Sequence, residues 1–515
     1  MKFIEAAEVP ALIKDGANII TTGFLFAMVC DHIFDAVEES FLETGHPKDI
    51  ELTSFSGLGL RKDGTGLDKF AHPGMIRGAR IGHMLWAQRL RGMITDNEIY
   101  CNIYPLGCLT QLTRDMGAGK PGTISKIGLG TFVDPRVEGG KANEKTKEPT
   151  ATLMEIDGEE YLYYPGFPID VAILRGTSID PKGNVTMEDE AMLMDAMTIA
   201  RAAKQQGGTV IVQVKRLAEE GELDPRAVQI PGVMVDYAVL APEEKHMQTA
   251  TTVYNAGWAQ KERVDLGEME PIPLNIKKVL ARRAAMEVGK GDVINLGAGV
   301  PELVAAVASE EGFADDITMT VECGHVGGMP MSGLDFGACY NPDYVTTAVN
   351  QAEWYDGGGL DIGILGAAEV DRYGNANASK FGTVVGPGGF MDIASGTKKI
   401  VFAGTFTTKG LAAKVEDGKI HIVCEGAKKK YVADVEQITF SGRQAVESGQ
   451  DVMYITERAV FRLTEKGLLL TETAPGIDLE KDILDLLDFE IEVSPDLAMM
   501  DERIFRDEPM GIRAE

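Results

Sequence analysis

Apolar runs with the character of strands alternate along the chain with stretches of helical spacing. Residues 17–22 form one such run, and the following stretch, 31–42, places Ile33, Phe34 and Val37 on one face of a predicted helix. The alternation continues along the chain, as expected for parallel strands connected by helices. We therefore predict open α/β domains with mostly parallel sheets that are covered on both faces.

The pattern repeats in the second half of the chain. Residues 170–174 lead to Asp-Pro-Lys-Gly-Asn at 180–184, and residues 361–365 lead, at the same offset, to Asp-Arg-Tyr-Gly-Asn at 371–375. Further on, both halves continue with a glycine turn that enters a β-branched run. This many matches in register predict two related α/β domains in tandem.

The predicted N-terminal domain is residues 1–268 and the C-terminal domain is residues 276–515, because a proline-containing linker separates them at 268–275. The first domain is longer by an insert at about residues 57–164. The insert is rich in Gly and Pro, so we expect loops and short elements over one face. Such loops usually carry substrate specificity.

The acidic composition limits the partners of the chain. Its 79 Asp and Glu residues outnumber 50 Lys and Arg residues, which gives a formal net charge of −29. A field of this sign repels nucleic acid and anionic membrane surfaces, so neither is a predicted partner. An anionic small molecule would need a local basic patch or helix N-termini.

Nothing in the sequence predicts a membrane span, a signal peptide or a metal site. The apolar runs are too short to cross a bilayer, and no basic region followed by an apolar segment comes after Met1. The six Cys residues include no Cys-x-x-Cys, and the seven His residues are scattered. We predict a cytoplasmic protein without a metal or a permanently bound cofactor.

Glu322 is the strongest candidate for chemistry. Five residues of strand character, 317–321, lead directly into this carboxylate, and glycines follow it. Working groups of α/β proteins lie at such strand ends. A carboxylate there can act as a base, as a metal ligand or as a nucleophile on an acyl group, although a glutamate that caps a turn is the ordinary alternative.

Two glycine motifs accompany Glu322. Gly297, Ala298 and Gly299 lie between a predicted strand and a helix that is expected from Pro301, where a phosphate or a close backbone contact could fit, as could simple tight packing. Residues 386–392 read Gly-Pro-Gly-Gly-Phe-Met-Asp, which can form an anion nest or an oxyanion hole, or only a bulged loop.

Lysines lie close in sequence to the second motif, and Lys380 is the first of them. In so acidic a chain, lysines beside a glycine nest suggest a polyphosphate ligand. A solvated lysine edge explains them nearly as well.

The order of these motifs resembles that of the family I CoA-transferases. Val-Glu-x-Gly-x-x-Gly-Gly around Glu322, the upstream Asn-Leu-Gly-x-Gly-x-Pro and the downstream Gly-x-Gly-Gly-Phe-Met-Asp carry the resemblance. The first half is similar to the propionate and acetate branch, in Ser-Gly-Leu-Gly at 56–59, Phe-Ala-His-Pro-Gly-Met at 70–75 and the stretch from Lys126 to Arg136. The resemblance covers essentially the whole chain.

The resemblance implies an enzyme that exchanges CoA between short-chain acyl-CoA and free carboxylic acids, with acyl-CoA as a substrate. Glu322 would be the nucleophile of a ping-pong reaction that passes through a glutamyl-CoA thioester. The active site would lie between the two domains, in a homodimer or homotetramer. The implied site residues are Gly388 and Gly389 for the oxyanion, and Gly297, Ala298, Gly299, Lys380, Gly386 and Gly388 for CoA.

The chain departs from the family at one position. A Pro-Gln-Gly sequence of the family supplies a glutamine as a second oxyanion donor, whereas this chain has Leu106 before Gly107. Gln111 or a backbone N–H near Gly107 could replace that donor. We assign Leu106, Gly107 and Gly57 to the acid pocket.

Three other functions stay open at this point. An acyl-CoA hydrolase could use the same scaffold, with water taking the thioester. A non-catalytic CoA-binding protein would keep the motifs without turnover, and a two-domain sugar-phosphate isomerase would also use glycine nests and a carboxylate.

Overall fold

The computed structural model describes residues 1–266 and 271–512. The chain forms two compact units: the first contains residues 1–264, 321–353 and 382–392, and the second contains 265–320, 354–381 and 393–515. The predicted linker, residues 268–275, begins outside the described residues. Segments 321–353 and 382–392 lie in the first unit although the predicted boundaries place them in the second domain, and those boundaries stay a prediction.

The main sheet of the first unit consists of eight parallel strands in the order β1-β8-β7-β6-β2-β3-β4-β5. Because all neighbouring strands are parallel, each connection between consecutive strands of this sheet is a crossover. The strands are β1 Lys2–Phe3, β2 Asn18–Thr21, β3 Ile50–Ser54, β4 Ile76–Ile81, β5 Tyr100–Ile103, β6 Val171–Arg175, β7 Thr209–Val214 and β8 Tyr237–Leu240.

Helices flank this sheet. The α-helices that lie wholly within residues 1–264 are α1 Asp31–Thr44, α2 Gln88–Thr95, α3 Leu106–Gly117 and α4 Ala196–Gln205. In α1 the apolar positions Ile33, Phe34 and Val37 are buried, as the spacing predicted, and Gly45 ends the helix in the left-handed conformation.

The second unit has a mixed sheet in which β10-β9-β11-β12-β13 pair in parallel. The strands β14 and β15 then continue the sheet antiparallel, and β16 pairs in parallel with β15. The strands are β9 Val293–Leu296, β10 Thr318–Val321, β11 Ile362–Leu365, β12 Lys399–Ala403, β13 Asp451–Ile455, β14 Ala459–Thr464, β15 Gly467–Thr473 and β16 Glu492–Met499.

The remaining helices are α5 Ile276–Ala285, α6 Leu303–Glu310, α7 Ala348–Asp356, α8 Phe390–Gly396, α9 Gly442–Ser448 and α10 Leu479–Asp482. Asn275 caps α5, because its side chain accepts hydrogen bonds from the N–H groups of Lys277 and Lys278. In the ranges that the structure describes, no helix has both the length and the apolar character that a membrane crossing requires.

The predicted repeat is confirmed down to individual hydrogen bonds. Asp170 accepts a hydrogen bond from Asn18 N at 2.8 Å, and Asp361 accepts the corresponding one from Val293 N at 2.9 Å. Each repeat therefore ties the start of its first central strand to the residue that precedes the neighbouring strand.

The turns at 180–184 and 371–375 match equally well. Asp180 accepts from Asn184 N at 2.9 Å and Asp371 from Asn375 N at 3.0 Å. The Oδ1 atom of each asparagine then accepts a backbone N–H, from Gly232 in the first turn and from Gly442 in the second.

The insert is more regular than predicted. It supplies two strands of the main sheet, β4 and β5, helices α2 and α3, and a three-stranded antiparallel sheet. The expectation of loops and short elements was wrong here, because arginines interrupt the apolar pattern of β4 and glycines surround it. The strands of the small sheet are Gly122–Ser125, Thr152–Ile156 and Glu159–Pro165.

Candidate active site

Glu322 follows β10 directly, as predicted, and its side chain is half-buried. Val321 before it and Cys323 after it are both buried in the apolar core of the first unit. Burial raises the pKa of the Glu322 carboxyl to about 6. The carboxylate is thus ionised at neutral pH. Because it is half-buried, it is less hydrated than an exposed carboxylate, which makes it a better nucleophile.

The predicted glycine loop lies against this side chain. A methyl group built on Gly389 would be only 3.1 Å from Glu322 Cγ and 3.5 Å from Cδ, so only glycine fits without displacement. There is thus no room for a side chain between the Gly389 backbone and the Glu322 side chain. The neighbouring Gly388 N–H donates to Gly82 O at 3.0 Å.

Leu106 and Gly107, the residues at the family's Pro-Gln-Gly position, adjoin the same loop. Leu106 N–H donates to Gly388 O at 2.9 Å, and Gly107 N–H donates to Asp392 Oδ2 at 3.0 Å. The backbone N–H groups of Leu106 and Gly107 therefore already have acceptors within the protein. The Gly107 N–H is the group that could have replaced the missing glutamine as a donor. Gln111, the other candidate, is buried in α3.

Asp392 is a second acid of the site. It is 2% exposed, and among the described residues its Oδ1 atom has no hydrogen-bond partner. Burial raises the pKa of Asp392 to about 7; the N–H groups of Gly107 and Cys108 oppose this, and the Glu322 charge adds to it. The ionisation of the two carboxyls is therefore coupled, because a charge on Glu322 raises the pKa of Asp392.

His83 lies in the loop after β4, and three glycines of the predicted site close around it. A methyl group on Gly57 would be 2.5 Å from His83 O, and one on Gly386 would be 3.2 Å from His83 Cα. One on Gly388 would be 3.8 Å from His83 Cβ. Gly386 and Gly388 also have φ values of 82° and 56°, which favour glycine.

The other predicted CoA-binding residues belong to the second unit. Gly297 N–H donates to Ile364 O at 2.9 Å, while Ala298 and Gly299 are exposed. The helix after them begins at Leu303 rather than at Pro301. Lys380 is half-exposed, and its Nζ atom lies 3.9 Å from Oε1 of Glu436.

The structure thus brings together Glu322, Gly388, Gly389, Leu106, Gly107, Gly57 and Gly386 within the first unit. The sequence reasoning did not single out His83 or Asp392. Asp392 closes the Gly-x-Gly-Gly-Phe-Met-Asp motif, which was a usable signal. His83 carried no such signal, because the residues around it are far apart in sequence.

The chain belongs to the coenzyme A transferase family, whose model matches residues 3–241 and 277–481. It is therefore a CoA-transferase, and the predicted resemblance and fold class are confirmed.

Two individual members of this family are similar to the chain over most of its length. The chain is 44% identical over 480 residues to acetate CoA-transferase YdiF of Escherichia coli strain K12, which covers 93% of this chain and 90% of that protein. It is 42% identical over 518 residues to caffeate CoA-transferase of Acetobacterium woodii, which covers 99% of this chain and 98% of that protein.

Solved structures of an acyl-CoA transferase have the same fold as this chain. The crystal structure of the acyl-CoA transferase YdiF apoenzyme from Escherichia coli O157:H7 matches with a TM-score of 0.93 and 41% identity, over 99% of this chain and 97% of that chain. The thioester complex of the same protein with CoA matches with a TM-score of 0.91 over the same shares.

Proposed function

We propose that this CoA-transferase moves CoA between short-chain acyl-CoA and free carboxylic acids of the acetate and propionate type, through a thioester on Glu322. The observation that carries the proposal is the half-buried Glu322 at a strand end, with the Gly389 backbone against its side chain. The names of the relatives, which are acetate and caffeate CoA-transferases, and the thioester complex of YdiF support it.

The reaction begins when a Glu322 carboxylate oxygen attacks the acyl carbonyl carbon of acyl-CoA. The C–S bond breaks, CoA leaves as the thiolate and a mixed anhydride forms. The thiolate then attacks the glutamyl carbonyl carbon, the C–O bond breaks and the first acid is released. A second acid reverses these steps and leaves as the new acyl-CoA.

Each tetrahedral intermediate carries an oxyanion that needs hydrogen-bond donors, and one such donor is worth about 3–4 kcal/mol. The Gly389 N–H makes no backbone hydrogen bond in the described residues, whereas the Gly388 N–H is donated to Gly82 O. The geometry thus favours Gly389 as the donor of the Gly388-Gly389 pair.

Carboxylates are weak nucleophiles in water, so binding of the long CoA moiety must supply orientation. This effect can reach roughly 7–11 kcal/mol. Gly297, Ala298, Gly299, Lys380, Gly386 and Gly388 stay the proposed CoA contacts, with Leu106, Gly107 and Gly57 at the acid. A cytoplasmic location, homo-oligomeric assembly and a site between the domains also stay predictions.

The test is to incubate the protein with acetyl-CoA without an acceptor acid, and to record the intact mass and the modified peptide. We expect an adduct of CoA minus water on the peptide that contains Glu322, and we expect propionate or acetate to discharge it. Caffeate as a third acceptor tests whether the acid is limited to short chains.

Two outcomes would contradict the proposal. If no adduct forms and acetyl-CoA is slowly hydrolysed, the protein is an acyl-CoA hydrolase. If neither an adduct nor turnover appears with a range of acyl-CoAs, the covalent mechanism is wrong and CoA binding without catalysis takes its place.

A further inference from the structure

The tetrahedral intermediates need a second hydrogen-bond donor, and the residues that the family resemblance points to do not provide one. Leu106 has no donor in its side chain, and its N–H is donated to Gly388 O. The Gly107 N–H is donated to Asp392. Gln111, the other candidate, is buried in α3, and another element beside the glycine loop can offer a further donor.

His83 is placed to supply it. The backbone on either side of His83 is fixed to the loop, because Met84 N–H donates to Val385 O at 2.7 Å and Gly388 N–H donates to Gly82 O at 3.0 Å. This pairing sets the imidazole beside Gly388: a methyl group there would lie 4.0 Å from both Cγ and Cδ2 of the ring.

The same loop connects His83 to the nucleophile. A methyl group on Gly388 would be 4.0 Å from the His83 ring, and one on the next residue, Gly389, would be 3.1 Å from Glu322 Cγ. Two consecutive glycines thus have the imidazole and the carboxylate as neighbours. Across the part of the chain that the structure describes, neither ring nitrogen of His83 has a hydrogen-bond partner.

We propose that the His83 imidazole donates the second hydrogen bond to the oxyanion of the thioester-exchange intermediates, and so takes the role of the glutamine that Leu106 replaces. This inference rests on the proposed function. The donated N–H stays on the ring throughout, so no proton transfer is involved.

The protonation state of His83 agrees with this role. Burial, together with the nearby charges of Arg61 and Arg91, lowers the pKa of His83 to about 4. A neutral imidazole has one N–H donor and carries no charge that would pair with the Glu322 carboxylate and weaken it as a nucleophile.

The test compares a donor with a non-donor at position 83. His83→Phe keeps a ring but cannot donate, whereas His83→Gln keeps a donor. We expect His83→Phe to lower kcat for acetyl-CoA:propionate exchange about 10²- to 10³-fold with KM for acetyl-CoA within about 3-fold, and His83→Gln to lower kcat only about 10-fold. His421→Phe, at an exposed histidine of the second unit, serves as the matched control.

The ranking of the two variants decides the question. If His83 only packs against the loop, His83→Phe retains at least as much activity as His83→Gln, and the proposal is overturned. The pair His83→Leu and His83→Asn, of similar volume, repeats the comparison if the larger side chains lower the melting temperature. If the wild-type protein forms no CoA adduct, both the proposed function and this inference are wrong. If His83→Phe forms the adduct at the same rate as the wild type, only this inference is wrong.

Discussion

Equivalent strands of the two repeats, β3 and β10, are followed by residues of opposite character. Asn18 and Val293 occupy equivalent positions, since each donates its N–H to the aspartate that precedes the neighbouring strand. Asn18 pairs with Glu51 and Val293 pairs with Thr318, so four residues further on Phe55 of the first repeat corresponds to Glu322 of the second.

The environments of Phe55 and Glu322 differ. Phe55 is 0% exposed and belongs to the apolar core, whereas Glu322 is half-buried beside the glycine loop. The shared backbone brings a side chain to the same kind of strand end twice, and only one of the two is polar. The fold therefore provides the position in both repeats, and in the proposed mechanism only the second repeat uses it for the reaction.

The largest expected effect comes from removing the carboxylate charge. We expect Glu322→Gln to lower the rate of CoA exchange by at least about 10⁴-fold, because the amide is not a nucleophile. An exchange rate within about 10-fold of wild type would exclude Glu322 as the attacking group.

The free energy of unfolding of the same variant tests whether the fold is kept. The folded state raises the pKa of Glu322 to about 6, so the wild type loses stability as the pH rises through 6 and the variant does not. Glu322→Gln should therefore be more stable than wild type by up to about 2 kcal/mol at pH 8, and nearly equal at pH 4. Thermal unfolding at the two pH values measures this difference.

The reverse change tests the first repeat. Phe55→Glu places an unpaired carboxyl in a fully buried position and should destabilise the first unit by about 3–5 kcal/mol without creating a second reactive site. Phe55→Leu, which keeps the position apolar, should cost about 1 kcal/mol. Urea unfolding followed by intrinsic fluorescence measures both, and equal midpoints for the two variants would contradict the assigned burial.

The sequence was sufficient for the repeat and for the position of Glu322 at the end of a strand, since both depend on local patterns. The turns at 180–184 and 371–375 carry their own hydrogen bonds, so they appear in the sequence as a motif. Strand β4 was missed because its arginines lie between apolar residues, where Arg80 pairs with the buried Glu51. His83 could not be found because Gly57, far from the loop in sequence, reaches it only in the folded chain.

The matched turns allow a comparison within one molecule. Asn184→Ala and Asn375→Ala each leave a glycine N–H without its acceptor and remove the side-chain donor to the Oδ2 atom of an aspartate, which should cost about 1–3 kcal/mol. We expect the larger loss at Asn375, which is buried, than at the half-buried Asn184. Melting temperatures and hydrogen exchange of the two turns measure this, with the exposed Lys182→Ala as the control. A larger loss at Asn184 would reverse the assigned order of burial.

The smallest expected effect concerns the order in which the two carboxyls ionise. The rate kcat/KM for acetyl-CoA should fall about tenfold per pH unit below pH 6, because the nucleophile must be ionised and burial raises its pKa to about 6. Burial and the charge of Glu322 raise the pKa of Asp392, so we expect Asp392 to stay neutral as Glu322 ionises. Asp392→Asn should therefore move this limb of the profile by less than about 0.3 pH units. A shift of a full unit toward lower pH would mean that Asp392 ionises first and opposes the charge on Glu322, and the second repeat would then hold a carboxylate pair rather than a single nucleophile with a neutral neighbour.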